Sequence, residues 1–106
     1  MSYGIVIEQR AYDDISNAYQ WRVENVSPEN GTDWYFDILD KIETLRTFPL
    51  RGSFALENEF FAEEIRQLLF GKHRILFTVQ DETVHILYVR HVRQDVLRPD
   101  EEGEAS

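Results

Sequence analysis

The residues best suited to chemistry lie in the last third of the chain, where Arg66, Arg74, Arg90 and Arg93 occur among His73, His85 and His91. An arginine presents a planar fork of N–H donors that fits carboxylate or phosphate, and an imidazole exchanges its proton near neutral pH. Arg66 and Arg74 are therefore candidates to bind a partner's carboxylates or phosphate. Arginines on an exposed strand face more often serve solubility, and His73 and His85 read as ordinary strand residues. The three histidines lack a zinc-ligand spacing such as H-x₃-H, so no metal site is expected. No glycine-rich phosphate loop and no Ser-His-Asp arrangement occurs, and nothing calls for a cofactor. The Asp13/Asp14 pair reads as a solvated helix face.

Charge narrows the partners. The 106 residues carry a net charge of −9, unevenly spread. Residues 1–62 hold five Lys/Arg against eleven Asp/Glu, residues 63–98 hold six against five, and 99–106 hold four acids and no base. Phosphate backbones demand a basic footprint, so direct high-affinity DNA binding is not expected, and only the C-terminal third is left to host an anion site. The absence of cysteine excludes disulfides and thiolate chemistry and fits a reducing compartment. With no signal-peptide pattern and no apolar run approaching a bilayer span, the expectation is a cytoplasmic protein with no membrane partner.

The elements that must position these residues follow from periodicity. Tyr3 to Ile7 reads as a strand. Ala11, Ile15, Ala18, Tyr19, Val23 and Val26 recur at steps of three and four, predicting a helix. Ser27-Pro28 suits a cap and first turn, with Gly31 placing the regular start of a second helix nearer Thr32. Tyr35, Ile38, Leu39, Ile42 and Leu45 stripe that helix, which must stop before Pro49. A short link makes the two an antiparallel hairpin. Trp21 and Trp34 read as helix-to-sheet packing residues, although Trp34, at the exposed start of its helix, also suits an interface.

Residues 49–62, including Arg51-Gly52-Ser53, read as a loop. Three strands then follow: Glu63 to Phe70, His73 to Gln80 and Thr83 to His91, turned at Gly71-Lys72 and Asp81-Glu82. On the second, Ile75, Phe77 and Val79 oppose Arg74, Leu76 and Thr78. On the third, Val84, Ile86, Tyr88 and Arg90 oppose His85, Leu87, Val89 and His91. Apolar residues on both faces suggest a face covered by a partner, or simply imperfect alternation. The order β-α-α-β-β-β gives an α+β domain over 1–98, a helical hairpin on a small, mostly antiparallel sheet with the first strand at its edge. Residues 99–106 form an acidic tail, expected to be disordered.

On these residues the chain resembles the RelE/ParE superfamily of toxins from type II toxin–antitoxin pairs, also described as plasmid-stabilisation proteins. The resemblance covers 2–97. It is carried by the opening strand, by Ala11-Tyr12-Asp13-Asp14-Ile15 and Ala18-Tyr19-Gln20-Trp21, by Ser27-Pro28-Glu29, and by Ile42 to Pro49. Glu64 to Phe77 and Val84 to His91 complete it. The resemblance implies one of two activities, and in both an antitoxin whose C-terminal segment wraps the toxin. RelE-like members cleave mRNA on the ribosome; ParE-like members inhibit DNA gyrase by binding it.

RelE-like cleavage uses lysines on the strand corresponding to Glu63–Phe70, which here has none. Arg74 matches the family arginine after the hairpin turn, Arg93 lies near a later one, and Leu97 takes the terminal Tyr/His position. A ribonuclease would therefore rest on Arg74, Arg93 and His91, with His91 as acid or base. The missing lysines and the acidic surface favour the ParE-like branch. A third possibility is a non-toxic module that binds antitoxins. Arg66, Arg74, Leu76, Arg90 and Trp34 are the expected contacts with antitoxin or target, and the isolated chain is expected to dimerise or aggregate through its uncovered face.

Overall fold

The computed structural model describes residues 2–50 and 52–94. Arg51, Leu97 and the tail 99–106 lie outside the described residues.

Strand β1 (Gly4–Ile7) leads into helix α1 (Gln9–Asn25). Ala11 and Ile15 are fully buried with Ala18 and Tyr19 packed beside them, the i, i+4, i+7 row of one helix face. Pairs four residues apart hold the wet side: Gln9 Nε2 donates to Asp13 at 2.8 Å, and Gln20 Nε2 donates to Glu24 at 2.7 Å. The Ser27 hydroxyl accepts from the Asn30 N–H at 3.0 Å and caps helix α2 (Pro28–Glu43).

The helix starts at Pro28, not nearer Thr32. Gly31 is retained inside the first turn because the two helices cross there; a Cβ at that position would stand 2.6 Å from Val23 Cγ2. Trp34, Ile38 and Ile42 form the buried stripe, continued by Leu45 in a 3₁₀ turn at Thr44–Arg46.

The segment expected to be a loop is partly structured. It contains the two-residue strand β2 (Ser53–Phe54) and a 3₁₀ helix at Leu56–Phe60. Three longer strands follow: β3 (Arg66–Phe70), β4 (His73–Gln80) and β5 (Thr83–His91). β3 begins three residues later than expected, because Ile65 is held by the preceding segment. Its N–H donates to Asn58 Oδ1 at 2.8 Å, and its carbonyl accepts from Ala55 at 2.9 Å.

The sheet order is β1-β5-β4-β3-β2, with β1 parallel to β5 and every other pair antiparallel. Two helices on this five-stranded sheet give the expected α+β architecture. Gly71 has φ +56°, as a glycine-first hairpin turn requires, whereas Asp81 and Glu82 hold φ 49° and 61° without being glycine. Where β1 ends, α1 takes over the edge of β5: Asp14 Oδ2 accepts from the Val89 N–H at 3.0 Å. Asp14 is thus a structural ligand of the sheet and not part of a solvated face. Burial raises its pKa, against the lowering effects of the Val89 N–H and Arg10.

A bulge places Leu76 opposite Tyr88 and Phe77 opposite Ile86, breaking the simple alternation of β5. Val84, Ile86 and Val89 consequently all join the helix-side core with Ile75, Phe77 and Leu68. The opposite face has its own cluster, Ala55, Ile65 and Leu76, flanked by Phe61, Leu87 and Tyr88. Leu76 is only 1% exposed. The apolar second face at Leu76 is therefore covered by this chain's own 55–65 segment, and Leu76 is a core residue here, not a contact waiting for a partner.

Candidate functional site

The residues picked out by sequence are dispersed: His85 meets Glu8 at 2.9 Å beside β1, and the rest divide because successive strand residues point to opposite faces. His73 and Arg74 are neighbours in β4 and part company there.

Arg74 goes to the face covered by the 55–65 segment. It is 5% exposed and forms a two-pronged pair with Glu57, which is fully buried: Nη1 donates to Oε1 at 2.8 Å and Nη2 to Oε2 at 2.7 Å. Gln67 Oε1 accepts from the same Nη1 at 3.1 Å. Arg74 is not on an exposed strand face; its fork is occupied by a carboxylate brought from the 3₁₀ helix. Arg66 also serves its own chain, donating to Glu64 at 3.0 Å and to the Gly52 carbonyl at 2.9 Å while stacking over Phe54 at 4.6 Å. These contacts pin β2 to β3. Gly52 sits so close to that strand that a Cβ would meet the Gln67 carbonyl oxygen at 2.3 Å. Arg90 stands opposite Arg74 in the β4–β5 register and is partly buried.

His73 and His91 go to the other face, where β4 and β5 end beside the helical hairpin. Their rings meet edge to face, with centroids 5.4 Å apart. Trp34 lies 5.3 Å from His73 and 6.4 Å from Phe70, and Arg22 covers its indole at 5.1 Å. Trp34 is thus a buried packing residue at 7% exposure, and its alternative role at an exposed helix start does not hold. Trp21, expected to pack on the sheet, is 59% exposed.

A cavity of about 490 Å³ opens here, lined by Ala18, Trp21, Arg22, Lys72, His73, His91 and Arg93. Burial, followed by His91 and Arg22, lowers the His73 pKa to about 4, so this imidazole is neutral at pH 7. The His91 Nδ1 accepts from the Arg93 N–H at 3.0 Å, which leaves the ring proton on Nε2.

Sequence reasoning missed Glu57, Arg22 and Lys72. Glu57 lay in an apparent loop, and Arg22 lay outside the third taken as able to hold an anion. Lys72 was read only as a turn residue. Among the described residues, no group of three or more His, Asp or Glu is placed to hold a metal ion, and no helix is long and apolar enough to cross a membrane.

The family model described as the ParE toxin of the type II toxin–antitoxin system, parDE, matches residues 5–96. The chain belongs to the ParE toxin family. No curated protein sequence matches it. Among solved structures, the chromosomal ParDE system of P. aeruginosa is similar at 18% identity and a TM-score of 0.72, over 85% of this chain and 96% of that one. The RelBE2 toxin–antitoxin complex of Mycobacterium tuberculosis is similar at 21% identity and 0.61, over 86% and 92%. The archaeal RelE–RelB complex of Pyrococcus horikoshii aligns at 14% identity and 0.56, over 90% and 100%. At these identities the likeness is one of fold. Within the ParE family, then, this chain combines a sheet face closed by its own arginine–glutamate pair with a cationic cavity at the far end of the other face.

Proposed function

We propose that this ParE-family toxin acts in the cytoplasm by binding DNA gyrase and blocking it, and that a cognate antitoxin neutralises it. The observation that carries the gyrase half is the state of Arg74. In a RelE-like nuclease the matching arginine must be available to a phosphate, whereas here both prongs are committed to Glu57 inside the protein. Releasing Arg74 would strand a buried carboxylate, at a cost of about 3–5 kcal/mol. The strand before it, Arg66–Phe70, supplies no lysine to replace the lost charge. The antitoxin half is supported by family membership and by the structural neighbours, which were solved as toxin–antitoxin systems.

Supercoiling of relaxed plasmid by purified gyrase tests the proposal. Adding the full chain is expected to abolish supercoiling and to leave mRNA intact in a translating extract. Normal supercoiling at saturating protein sinks it.

A second reading, a ribosome-dependent endoribonuclease, is favoured by His91 and Arg93 lining one cavity with Lys72. It requires mRNA cuts at codon-defined positions that disappear in His91→Gln.

A further inference from the structure

Three cations of this acidic chain gather around one cavity. Among the described residues, Arg10, Arg46, Arg66 and Arg74 each pair with a carboxylate of their own chain, at 3.2, 2.6, 3.0 and 2.7 Å. Arg22, Lys72 and Arg93 form no ion pair with a described carboxylate, and all three line the cavity beside His73 and His91. Among the described residues, no acidic residue lines it. The His73 Nδ1 is buried and has no hydrogen-bond partner. A buried ring nitrogen left unsatisfied is costly unless a ligand meets it. One wall is apolar: Ala18 and the exposed indole of Trp21.

We propose that this cavity seats an acidic peptide segment of a protein partner, one carboxylate held among Arg22, Lys72 and Arg93 and an adjacent apolar side chain laid on Trp21. The assignment rests on the reading that this toxin works through protein partners. The cavity's own chemistry favours a peptide over a nucleic acid. A polyanion approaching it must cross a surface that carries a net −9, while a single carboxylate within an apolar segment meets the cations locally. While α2 meets the His73 ring through Trp34, the titratable and charged groups around it are Arg22 from α1, Lys72 from the β3–β4 turn, the imidazole of His91 from β5 and Arg93 beyond it. All are basic. Burial keeps His73 neutral first and repulsion from His91 and Arg22 second; a bound carboxylate would offset part of this, so binding would be coupled to proton uptake at that ring.

The test uses the full chain, the capped tetrapeptide acetyl-Leu-Glu-Glu-Leu-amide and its Gln-Gln counterpart, followed by the imidazole resonances of His73 and His91 and by Trp21 fluorescence. The glutamate peptide is expected to bind about tenfold tighter than the glutamine peptide and to move the His73 titration upward. Lys72→Glu and Arg93→Glu, both at exposed turn positions, should each weaken it by about fivefold or more while urea midpoints stay in place.

Equal binding of the two peptides, or binding unchanged in both variants, overturns the proposal. So does tighter binding of a single-stranded oligothymidylate at physiological salt. Imidazole shifts produced by deleting 99–106 with no peptide present would assign the cavity to the chain's own acidic end, and likewise overturn it. Normal supercoiling alongside intact peptide binding would sink the gyrase reading and leave this site standing, so the two failures are separable.

Discussion

The two faces of the sheet use arginine in opposite ways. On the face covered by residues 55–65, Arg74 is buried against Glu57 and its charge is spent internally. On the helix side, Arg22, Lys72 and Arg93 surround a cavity with no acid in its lining among the described residues. One face is closed by a matched pair; the other ends in an unmatched cluster. An arginine's type and strand position therefore do not say whether it is available. What decides is whether the chain supplies a carboxylate from elsewhere.

The largest expected effect breaks the closed face. Arg74→Ala or Glu57→Ala leaves one buried charge uncompensated and should destabilise the fold by about 3–5 kcal/mol in urea denaturation. Replacing both together, Arg74→Met with Glu57→Leu, should restore most of that loss, because the penalty comes from the stranded partner. If Arg74→Ala instead kept full stability and lost toxicity, Arg74 would be a functional residue, and the contrast between the faces would collapse.

Next comes the apolar part of the same face. Leu76→Ala removes a side chain packed on Ala55 and Ile65 and should cost about 2–4 kcal/mol. An effect near zero would mean that the 55–65 segment does not cover the sheet in solution.

How much of this contrast was legible in sequence depends on how far apart the deciding residues lie. The helical stripes were readable from local period, as were β4, β5 and the edge position of β1. Alternation even placed Arg74 with Leu76 and Thr78, away from Ile75 and Phe77. Its burial was not readable, because Glu57 lies 17 residues away in a stretch without regular period. The cavity was half readable: His73, His91 and Arg93 lay in the expected third, but Arg22 arrives from α1 through the packing of the hairpin. Trp21 and Trp34 show the same limit. Trp34 joins the 34-38-42-45 stripe and is buried. Trp21, also on a helix, lines the cavity mouth and stays exposed.

A smaller effect separates the helix face from solvent. Asp14→Ala deprives the Val89 N–H of its acceptor where β1 no longer covers β5, and should cost about 1–2 kcal/mol. Asp14→Asn keeps an acceptor and removes a carboxylate whose pKa burial raises, so it should cost less than Asp14→Ala at neutral pH. The reverse order would show that the Arg10 ion pair, at 3.2 Å, matters more than the bond to the sheet.

The smallest effect tests whether the open cluster is built for a ligand or for stability. His73 is a base whose folded pKa, about 4, lies below its ordinary value of 6.5. The unfolded chain therefore takes up the proton first, and stability should fall as pH drops from about 6.5 toward 4. It should be unaffected by this ring above that window. His73→Gln should flatten this part of the pH profile of the urea midpoint. Lys72→Glu brings a negative charge to the same cavity, so it should raise the His73 titration, which shrinks the loss of stability and ends it at a higher pH. A wild-type profile flat between pH 6.5 and 4.5 would mean that His73 is neither buried nor repelled as the structure places it, and would remove the electrostatic half of the contrast. A sloping profile that Lys72→Glu reduces would locate the cost in the unmatched charges themselves. That is the condition under which a partner's carboxylate stabilises the toxin by binding there.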